Sequence, residues 1–269
     1  MEAICHDVPR KVRQWFVAQD SRKGWTFALH MMPFLLTVIA YKSFRSLIFI
    51  RGNIHVGDLY ALDEYLFAIH TAEGARAVSE VVARATHPVL DVICGAAYLL
   101  YLPEVVGLAV YWFFQDRARA LFTSLGFLIG NVLGWVIWLA YPAAPPWYVD
   151  LHGTGPAMLD VASNAAGLIR LDDLLGLPVA ATLYAKSENV FGAMPSLHVT
   201  YATFMMLVTW PVRGSLHLAT AVFAAVVAFS ALYLRHHYVL DVLAGALLGA
   251  VTWWLTALLL RKFKYEVRL

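Results

Sequence analysis

The chain has 269 residues, of which 61% are hydrophobic and 14% charged, and its mean hydropathy is +0.65. A soluble domain carries roughly 45–50% apolar and about 25% charged residues, so this composition excludes a disordered chain and an ordinary soluble domain. The net charge of +2 excludes a basic nucleic-acid-binding protein, and two cysteines are too few for a disulfide scaffold. The class that remains is a membrane protein with several spans.

Six stretches are long and apolar enough to predict spanning helices, because about 20 apolar residues cross the hydrocarbon core of a bilayer. They lie at residues 25–50, 88–114, 118–141, 196–210, 216–234 and 238–260. Lys42 and Arg45 interrupt the first stretch, so its helix is expected to end near Tyr41. The fourth is short and is expected to continue past Pro211. The sequence therefore predicts an all-α, polytopic fold of six transmembrane helices, with residues 1–269 forming one membrane domain.

The distribution of basic residues predicts which side of the membrane each segment faces. Lys and Arg are denser in the short segments on the N-terminal side than in the longer segments on the opposite side, and positive charge marks the cytoplasmic face. Both termini, including residues 1–24, are therefore predicted to be cytoplasmic. Residues 1–24 show no apolar core followed by a cleavage site, so no cleavable signal peptide is expected.

Two long segments are then predicted on the outer side. Apolar residues with helical spacing in residues 51–87 predict two interfacial helices, one through Leu59, Leu62, Leu66 and Ile69 and one through Ala75, Val78, Val82 and Ala85. Residues 142–195 are rich in Pro and Gly, and a loop of this length is usually functional or disordered. Its aromatic residues favour an ordered active-site loop.

Small residues recur every four positions on two spans, Gly126, Gly130 and Gly134 on the third and Gly245 and Gly249 on the sixth. Such faces allow two helices to approach closely. We expect packing within the bundle, with a dimer interface as the alternative.

Several ionisable residues lie near the predicted outer ends of spans. They are His87, Asp91, His198, His236, His237 and Asp241. A charged side chain within a span costs about 2.5–3.5 kcal/mol on insertion scales, so one that is kept there usually has a role. His237 and Asp241 are spaced i, i+4, which predicts one helical face on which the carboxylate orients the imidazole. His236 would then point about 100° away. A purely structural His–Asp pair is the alternative.

His198 is predicted to lie at the start of the fourth span. Pro195 suits the first turn of a helix, and the free N–H groups at a helix N-terminus attract phosphate. Ser196 adds a hydroxyl donor that is expected to contact phosphate. An interfacial histidine without a chemical role is the alternative.

Two of these stretches carry a family resemblance. Pro195-Ser196-Leu197-His198 and His237-Tyr238-Val239-Leu240-Asp241 resemble the second and third signature motifs of the type 2 phosphatidic acid phosphatase superfamily. The resemblance implies a six-helix core in which His198 protonates the leaving group. It also implies that His237, oriented by Asp241, attacks phosphorus or activates the attacking group.

Within that superfamily, residues 141–148, 151–154, 190–198 and 233–238 resemble the inositol phosphorylceramide synthase branch, and the resemblance covers roughly residues 85–255. It implies an enzyme that moves phosphoinositol from phosphatidylinositol onto a lipid hydroxyl such as that of ceramide, releasing diacylglycerol. Asp91 is a candidate for binding inositol hydroxyls, with helix pinning as the alternative. Trp147 and Tyr148 are candidates for lining the substrate entrance, with membrane anchoring as the alternative.

The chain departs from the wider superfamily in its phosphate clamp. No Lys-x6-Arg-Pro motif occurs between residues 110 and 195, and Ala231 stands where the superfamily has an arginine. A phosphomonoester carries about −1.5 to −2 charge at neutral pH, so fewer cations favour a singly charged phosphodiester donor. Arg170, Lys186 or Arg235 could replace the clamp.

Restoring the clamp would favour the alternative function, a lipid phosphate phosphatase that uses the same residues with water as acceptor. A transporter or structural membrane protein is a further alternative, although the ionisable groups cluster on one side only. No metal or cofactor is expected, because no ligand cluster has metal spacing. The expected partners are a phospholipid donor and a lipid acceptor in a membrane. The expected location is a bacterial inner membrane, with the site facing the periplasm or lumen.

Overall fold

The computed structural model describes residues 21–45, 47–187 and 189–262. Most of the predicted cytoplasmic segment 1–24 lies outside the described residues. The longer helices are α1 (Ser21–Arg45), α4 (Pro88–Gln115), α5 (Arg117–Ala140), α9 (Leu197–Thr209), α10 (Gly214–Tyr233) and α11 (Val239–Lys262). The shorter elements are α2 (Gly57–Phe67), β1 (Ile69–Thr71), β2 (Gly74–Arg76), α3 (Val78–Arg84), α6 (Pro146–His152), α7 (Ile169–Leu175) and α8 (Val179–Tyr184).

Five helices in the described part of the chain are long and apolar enough to cross a membrane, namely α1, α4, α5, α10 and α11. This confirms the predicted polytopic helical fold, and the protein is a multi-pass membrane protein. Helix length does not confirm the predicted count of six spanning helices, because α9, the fourth predicted span, has only 13 residues. A 3-10 turn at Trp210–Val212 extends α9 past Pro211, as predicted. Helix α1 runs to Arg45 rather than ending near Tyr41.

Helix α9 packs in the centre of the bundle against α5, α10 and α11. The three α5 glycines allow this approach: a Cβ on Gly126 would meet Phe204 of α9, and one on Gly134 would meet Leu197. On α11, a Cβ on Gly245 would lie 2.4 Å from the carbonyl oxygen of Ser196. The small-residue faces therefore serve packing within the bundle, as expected.

The segment between α1 and α4 contains the two predicted short helices, α2 and α3, but also a hairpin that the helical spacing did not predict. Strands β1 and β2 pair antiparallel and include Ile69 and Ala75, which were assigned to helical faces. The face of α2 also differs from the prediction. Leu59 is buried together with Asp63, whereas Leu62 and Leu66 are about half exposed. Their placement at a membrane interface stays a prediction.

The segment between α5 and α9 is ordered into three short helices. It joins the α1–α4 segment through backbone hydrogen bonds. The N–H of Ala144 donates to the His55 carbonyl oxygen (2.8 Å), and that of His55 donates to the Pro142 carbonyl oxygen (2.8 Å). We call residues 51–87, 142–187 and 189–195 the loop layer. It covers the end of the bundle at which α9 and α11 begin.

Candidate active site

His198 is positioned by the start of α9. The helix begins at Leu197 rather than at Pro195, and Ser196 is its N-cap, whose Oγ accepts the N–H of Val199 at 3.5 Å. The half-buried His198 ring stacks on Tyr98, with ring centroids 3.9 Å apart, and its edge faces Tyr101 at 4.3 Å. The aromatic pair therefore holds the imidazole orientation. Ser196 itself is fully buried and serves as a cap, so its proposed phosphate contact has no support in this geometry.

His237 lies in the turn between α10 and α11, not on a helix. The expected helical face shared with Asp241 is therefore wrong, because α11 begins only at Val239. The turn nevertheless brings the two side chains together, with His237 Nδ1 3.5 Å from Asp241 Oδ2. Asp241 is fully buried, and its Oδ2 accepts the N–H of Tyr238 at 2.8 Å. The carboxylate is thus fixed beside the ring that it would orient.

The rings of His198 and His237 have centroids 6.2 Å apart. Reacting atoms in a near-attack arrangement are about 3–3.5 Å apart. A single phosphoryl group between the two rings can therefore contact both of them. The structure brings together the three residues that the two motifs predicted, although they come from the starts of α9 and α11 and the turn before α11.

Asp63, a residue that the sequence reasoning missed, supports the same turn from α2. Its Oδ1 accepts the N–H of Leu240 at 2.9 Å, and the side chain is fully buried. Burial, the largest cause, and the nearby Asp241 carboxylate together raise the pKa of Asp63 to about 6, against the lowering effect of the Leu240 N–H. A buried carboxylate close to Asp241 thus holds the first turn of α11.

His236 lines the same cavity as the other two histidines, contrary to the expectation that it would point away. Its Nε2 lies 3.2 Å from the Ala165 carbonyl oxygen, and its ring stacks between Tyr98 and Tyr184. Burial, followed by the neighbouring His237, lowers the pKa of His236 to about 3. The ring is therefore neutral at physiological pH, and its Nε2–H donates to the carbonyl oxygen.

Asp91 and Arg170 are paired with each other. Asp91 Oδ1 accepts hydrogen bonds from Arg170 Nε (2.6 Å) and from the Tyr233 hydroxyl (2.7 Å). The Arg170 guanidinium also lies over the Tyr233 ring, 4.8 Å from its centroid. These contacts match the helix-pinning alternative for Asp91. The positive charge of Arg170 is paired with the Asp91 carboxylate. Neither residue lines the cavity that contains the histidines.

Arg235 is also engaged by a carboxylate. Its guanidinium forms a bidentate ion pair with Asp150 and donates from Nη1 to Ser79 Oγ at 2.8 Å. Arg235 is 8% exposed and has a positive φ of 61°. The pair joins α6 and α3 to the turn that carries His237, and it leaves Arg235 without a free charge for a phosphate clamp.

The two predicted entrance aromatics have different surroundings. Trp147 lines the histidine cavity, and its backbone N–H donates to the Arg235 carbonyl oxygen at 3.1 Å. Tyr148 is buried away from the cavity, where its hydroxyl accepts the N–H of Met158 at 2.8 Å and its ring packs on Phe191. Only Trp147 is placed to contact a substrate.

The cavity has a volume of about 590 Å³ and runs from the histidines towards α1 and α4. This is within the range of roughly 300–1,000 Å³ for small-molecule sites. Its far walls include Val38 of α1 and Leu102 of α4, which are 59% and 41% exposed on apolar spanning helices. The cavity therefore reaches a lipid-facing edge. Among the described residues that line it there is no Lys or Arg.

Comparison with known proteins places this chain in a family. The model of the PAP2 superfamily matches residues 65–255, so the chain belongs to that superfamily. A phosphoinositol dihydroceramide synthase of Bacteroides thetaiotaomicron is 33% identical over 245 residues, which are 87% of this chain and 78% of that protein. An inositol phosphorylceramide synthase of Candida albicans is 34% identical over 193 residues, 70% of this chain but only 39% of that protein.

These relatives confirm the predicted resemblance: within the superfamily the chain falls in the branch of enzymes similar to inositol phosphorylceramide synthases. The solved structure of Aquifex aeolicus LpxE is also similar, with a TM-score of 0.49 and 16% identity, over 67% of this chain and 92% of that chain.

Proposed function

We propose that the protein is a membrane phosphotransferase that moves phosphoinositol from phosphatidylinositol onto the hydroxyl of a ceramide-like lipid. The observation that carries this proposal is the pair of histidine rings, 6.2 Å apart, at one end of a cavity that reaches a lipid-facing edge. The names of the bacterial and fungal relatives support the choice of headgroup and acceptor.

In this proposal His198, His237 and Asp241 have different roles in the reaction. His198 gives its proton to the diacylglycerol oxygen as the P–O bond to that oxygen breaks. On one route His237 attacks phosphorus itself; the acceptor hydroxyl then displaces it from phosphorus and gives its proton to His198, which the first step left neutral. On the other route His237 takes the proton of an acceptor hydroxyl that attacks phosphorus directly. Asp241 orients His237 and stabilises its imidazolium. General acid–base terms of this kind supply about 10²–10⁴-fold each.

The pairing of the arginines supports a phosphodiester donor. Arg170 and Arg235 are both held by carboxylates outside the cavity, and the described residues that line the cavity include no Lys or Arg. A dianionic phosphomonoester would be poorly compensated there, whereas a phosphodiester carries about one negative charge. We also propose that the loop layer faces the periplasm or lumen of a bacterial inner membrane, with both termini cytoplasmic; the charge asymmetry of the sequence supports this orientation.

The test uses the purified protein in nanodiscs that contain phosphatidylinositol and a ceramide. We expect an inositol-bearing sphingolipid to form, and we expect His198→Ala, His237→Ala and Asp241→Asn each to reduce its formation by about 10²-fold or more. His70→Ala is the matched control, because His70 is exposed on β1 and outside the cavity. Its activity should equal that of the wild type.

Either of two results would contradict this proposal. Rapid phosphate release from phosphatidic acid without headgroup transfer would establish the phosphatase alternative. Unchanged lipid conversion in His237→Ala would exclude an enzyme that uses this site.

A further inference from the structure

A polar pair faces the cavity from within the spanning helices. Asn131 of α5 and Tyr201 of α9 are each 5% exposed, and both line the cavity. The Tyr201 hydroxyl donates to Asn131 Oδ1 at 2.8 Å, and Asn131 Nδ2 donates to the Phe127 carbonyl oxygen at 2.7 Å. A polar side chain inside a membrane span is expensive to keep and points to a function. The mechanism above does not use either residue.

The hydrogen-bonding capacity of the pair is only partly used. An amide NH₂ has two donors and a tyrosine hydroxyl is both donor and acceptor. One Asn131 N–H and the acceptor capacity of the Tyr201 oxygen are left over by the hydrogen bonds in the described residues. The pair therefore presents one donor and one acceptor side by side. A secondary amide is trans, so its N–H and its carbonyl oxygen point in opposite directions. Its N–H can therefore reach the Tyr201 oxygen while its carbonyl oxygen points away from the pair.

The pair lies one helical turn deeper than the proposed general acid. Tyr201 follows His198 by three residues on α9, a rise of roughly 4.5 Å. The Tyr101 ring bridges the two: it forms a T-shaped pair with His198 at 4.3 Å and stacks on Tyr201 at 5.5 Å. A lipid whose hydroxyl reaches the histidines would thus place the next few atoms of its backbone at Asn131 and Tyr201.

We propose that Asn131 and Tyr201 select the acceptor by binding its secondary amide. The amide N–H donates to the Tyr201 oxygen, and Asn131 positions that oxygen because its Oδ1 accepts the Tyr201 hydroxyl hydrogen at 2.8 Å. This inference rests on the proposed function and specifies its acceptor class, an N-acylated amino alcohol. A diacylglycerol offers only ester carbonyls, so it would leave the Tyr201 oxygen without its donor, and sites built around a polar group reject analogues that lack it.

The Tyr201–Asn131 hydrogen bond also joins α5 to α9, so loss of activity alone would not distinguish recognition from packing. The experiment therefore compares two acceptors, N-hexanoyl sphinganine and its N-methyl analogue, with phosphatidylinositol as donor. The variants are Tyr201→Phe and Asn131→Leu. Thr220→Val is the matched control, because it removes a buried contact with Thr209 of α9 (2.6 Å) that lies outside the cavity.

We expect the wild type to prefer the unmethylated acceptor by about tenfold, the value of one buried hydrogen bond. Tyr201→Phe should raise KM for that acceptor about tenfold and abolish the preference. Asn131→Leu should raise the same KM, and Thr220→Val should change neither quantity.

Equal use of both acceptors by the wild type would overturn the inference even if the variants do not fold. A preference that persists in Tyr201→Phe would also overturn it, while leaving the transferase itself intact. If the wild type transfers the headgroup to neither acceptor, the proposed function fails and the inference fails with it.

Discussion

Asp63 accepts the backbone N–H of Leu240 at 2.9 Å, although the two residues are 177 positions apart in the chain. The contact ties the loop layer to the first turn of α11, one residue before Asp241. Because Asp63 is fully buried and close to Asp241, its pKa is raised from 3.8 to about 6. Between about pH 4 and pH 6 the folded protein therefore holds a proton on Asp63 that the unfolded chain has already released.

This raised pKa predicts a pH-dependent stability. The stabilisation is complete below about pH 4 and is lost as pH rises through about 6, since the folded state then ionises a buried carboxyl. Asp63→Asn keeps an acceptor for the Leu240 N–H and removes the ionisation. We expect its melting temperature to fall less than that of the wild type between pH 4.5 and 7.5. Thermal unfolding in detergent at several pH values measures this. Glu64→Gln, on the same helix, should follow the wild type; equal slopes for all three proteins would contradict the prediction.

The ion pair between Arg235 and Asp150 predicts a structural role that can be separated from phosphate binding. Arg235 is buried, whereas the Asp150 side chain is 45% exposed. Solvent therefore weakens the pair, and we expect Asp150→Ala to cost about 1–2 kcal/mol, below the roughly 3–5 kcal/mol of a fully buried pair. If Arg235 acts through the turn that carries His237, Asp150→Ala and Arg235→Ala reduce transfer to similar extents, and the double variant is no worse than either.

Steady-state kinetics and thermal unfolding of these three variants provide the measurement. A phosphate-clamping Arg235 would give a different pattern. Arg235→Ala would then lose far more activity than Asp150→Ala, and the additional loss would appear without additional destabilisation.

The Tyr233 hydroxyl joins the second span to the end of α10. It donates to Asp91 Oδ1 at 2.7 Å and accepts the N–H of His87 at 3.2 Å. Tyr233→Phe removes both bonds but keeps the ring under Arg170, so we expect a loss of about 1–2 kcal/mol in stability. The KM for phosphatidylinositol should be unchanged if Asp91 pins helices. A large rise in that KM with little loss of stability would instead support the headgroup-binding role proposed for Asp91.

The proximity of the three candidate catalytic residues could be predicted from the sequence, because each motif is short and the helix starts are local features. To place His198, it was enough to predict where α9 starts. To place His237 beside Asp241, it was enough to predict the turn before α11. The pairing of Arg170 with Asp91 could not be predicted in the same way, because 79 positions separate the two residues and many carboxylates compete for each arginine. The β1–β2 hairpin was missed because its apolar residues also fit a helical spacing. Asn131 was detectable as a polar residue within a predicted span, but only the structure shows that it faces the cavity.

Gly245 gives a prediction that links helix packing to the site. An added Cβ would lie 2.4 Å from the backbone carbonyl oxygen of Ser196, so Gly245→Ala must push α11 away from the start of α9. We expect a loss of about 1–3 kcal/mol from overpacking. Activity should fall as well, because the shift would separate Asp241, one turn before Gly245, from His198, two residues after Ser196. Gly107→Ala in α4 is the matched control: nothing lies within 4 Å of its added Cβ. That substitution should stabilise the helix by about 0.5–1 kcal/mol, with unchanged transfer. Thermal unfolding and headgroup transfer of both variants measure the contrast, and full activity in Gly245→Ala would show that the site tolerates separation of α9 and α11.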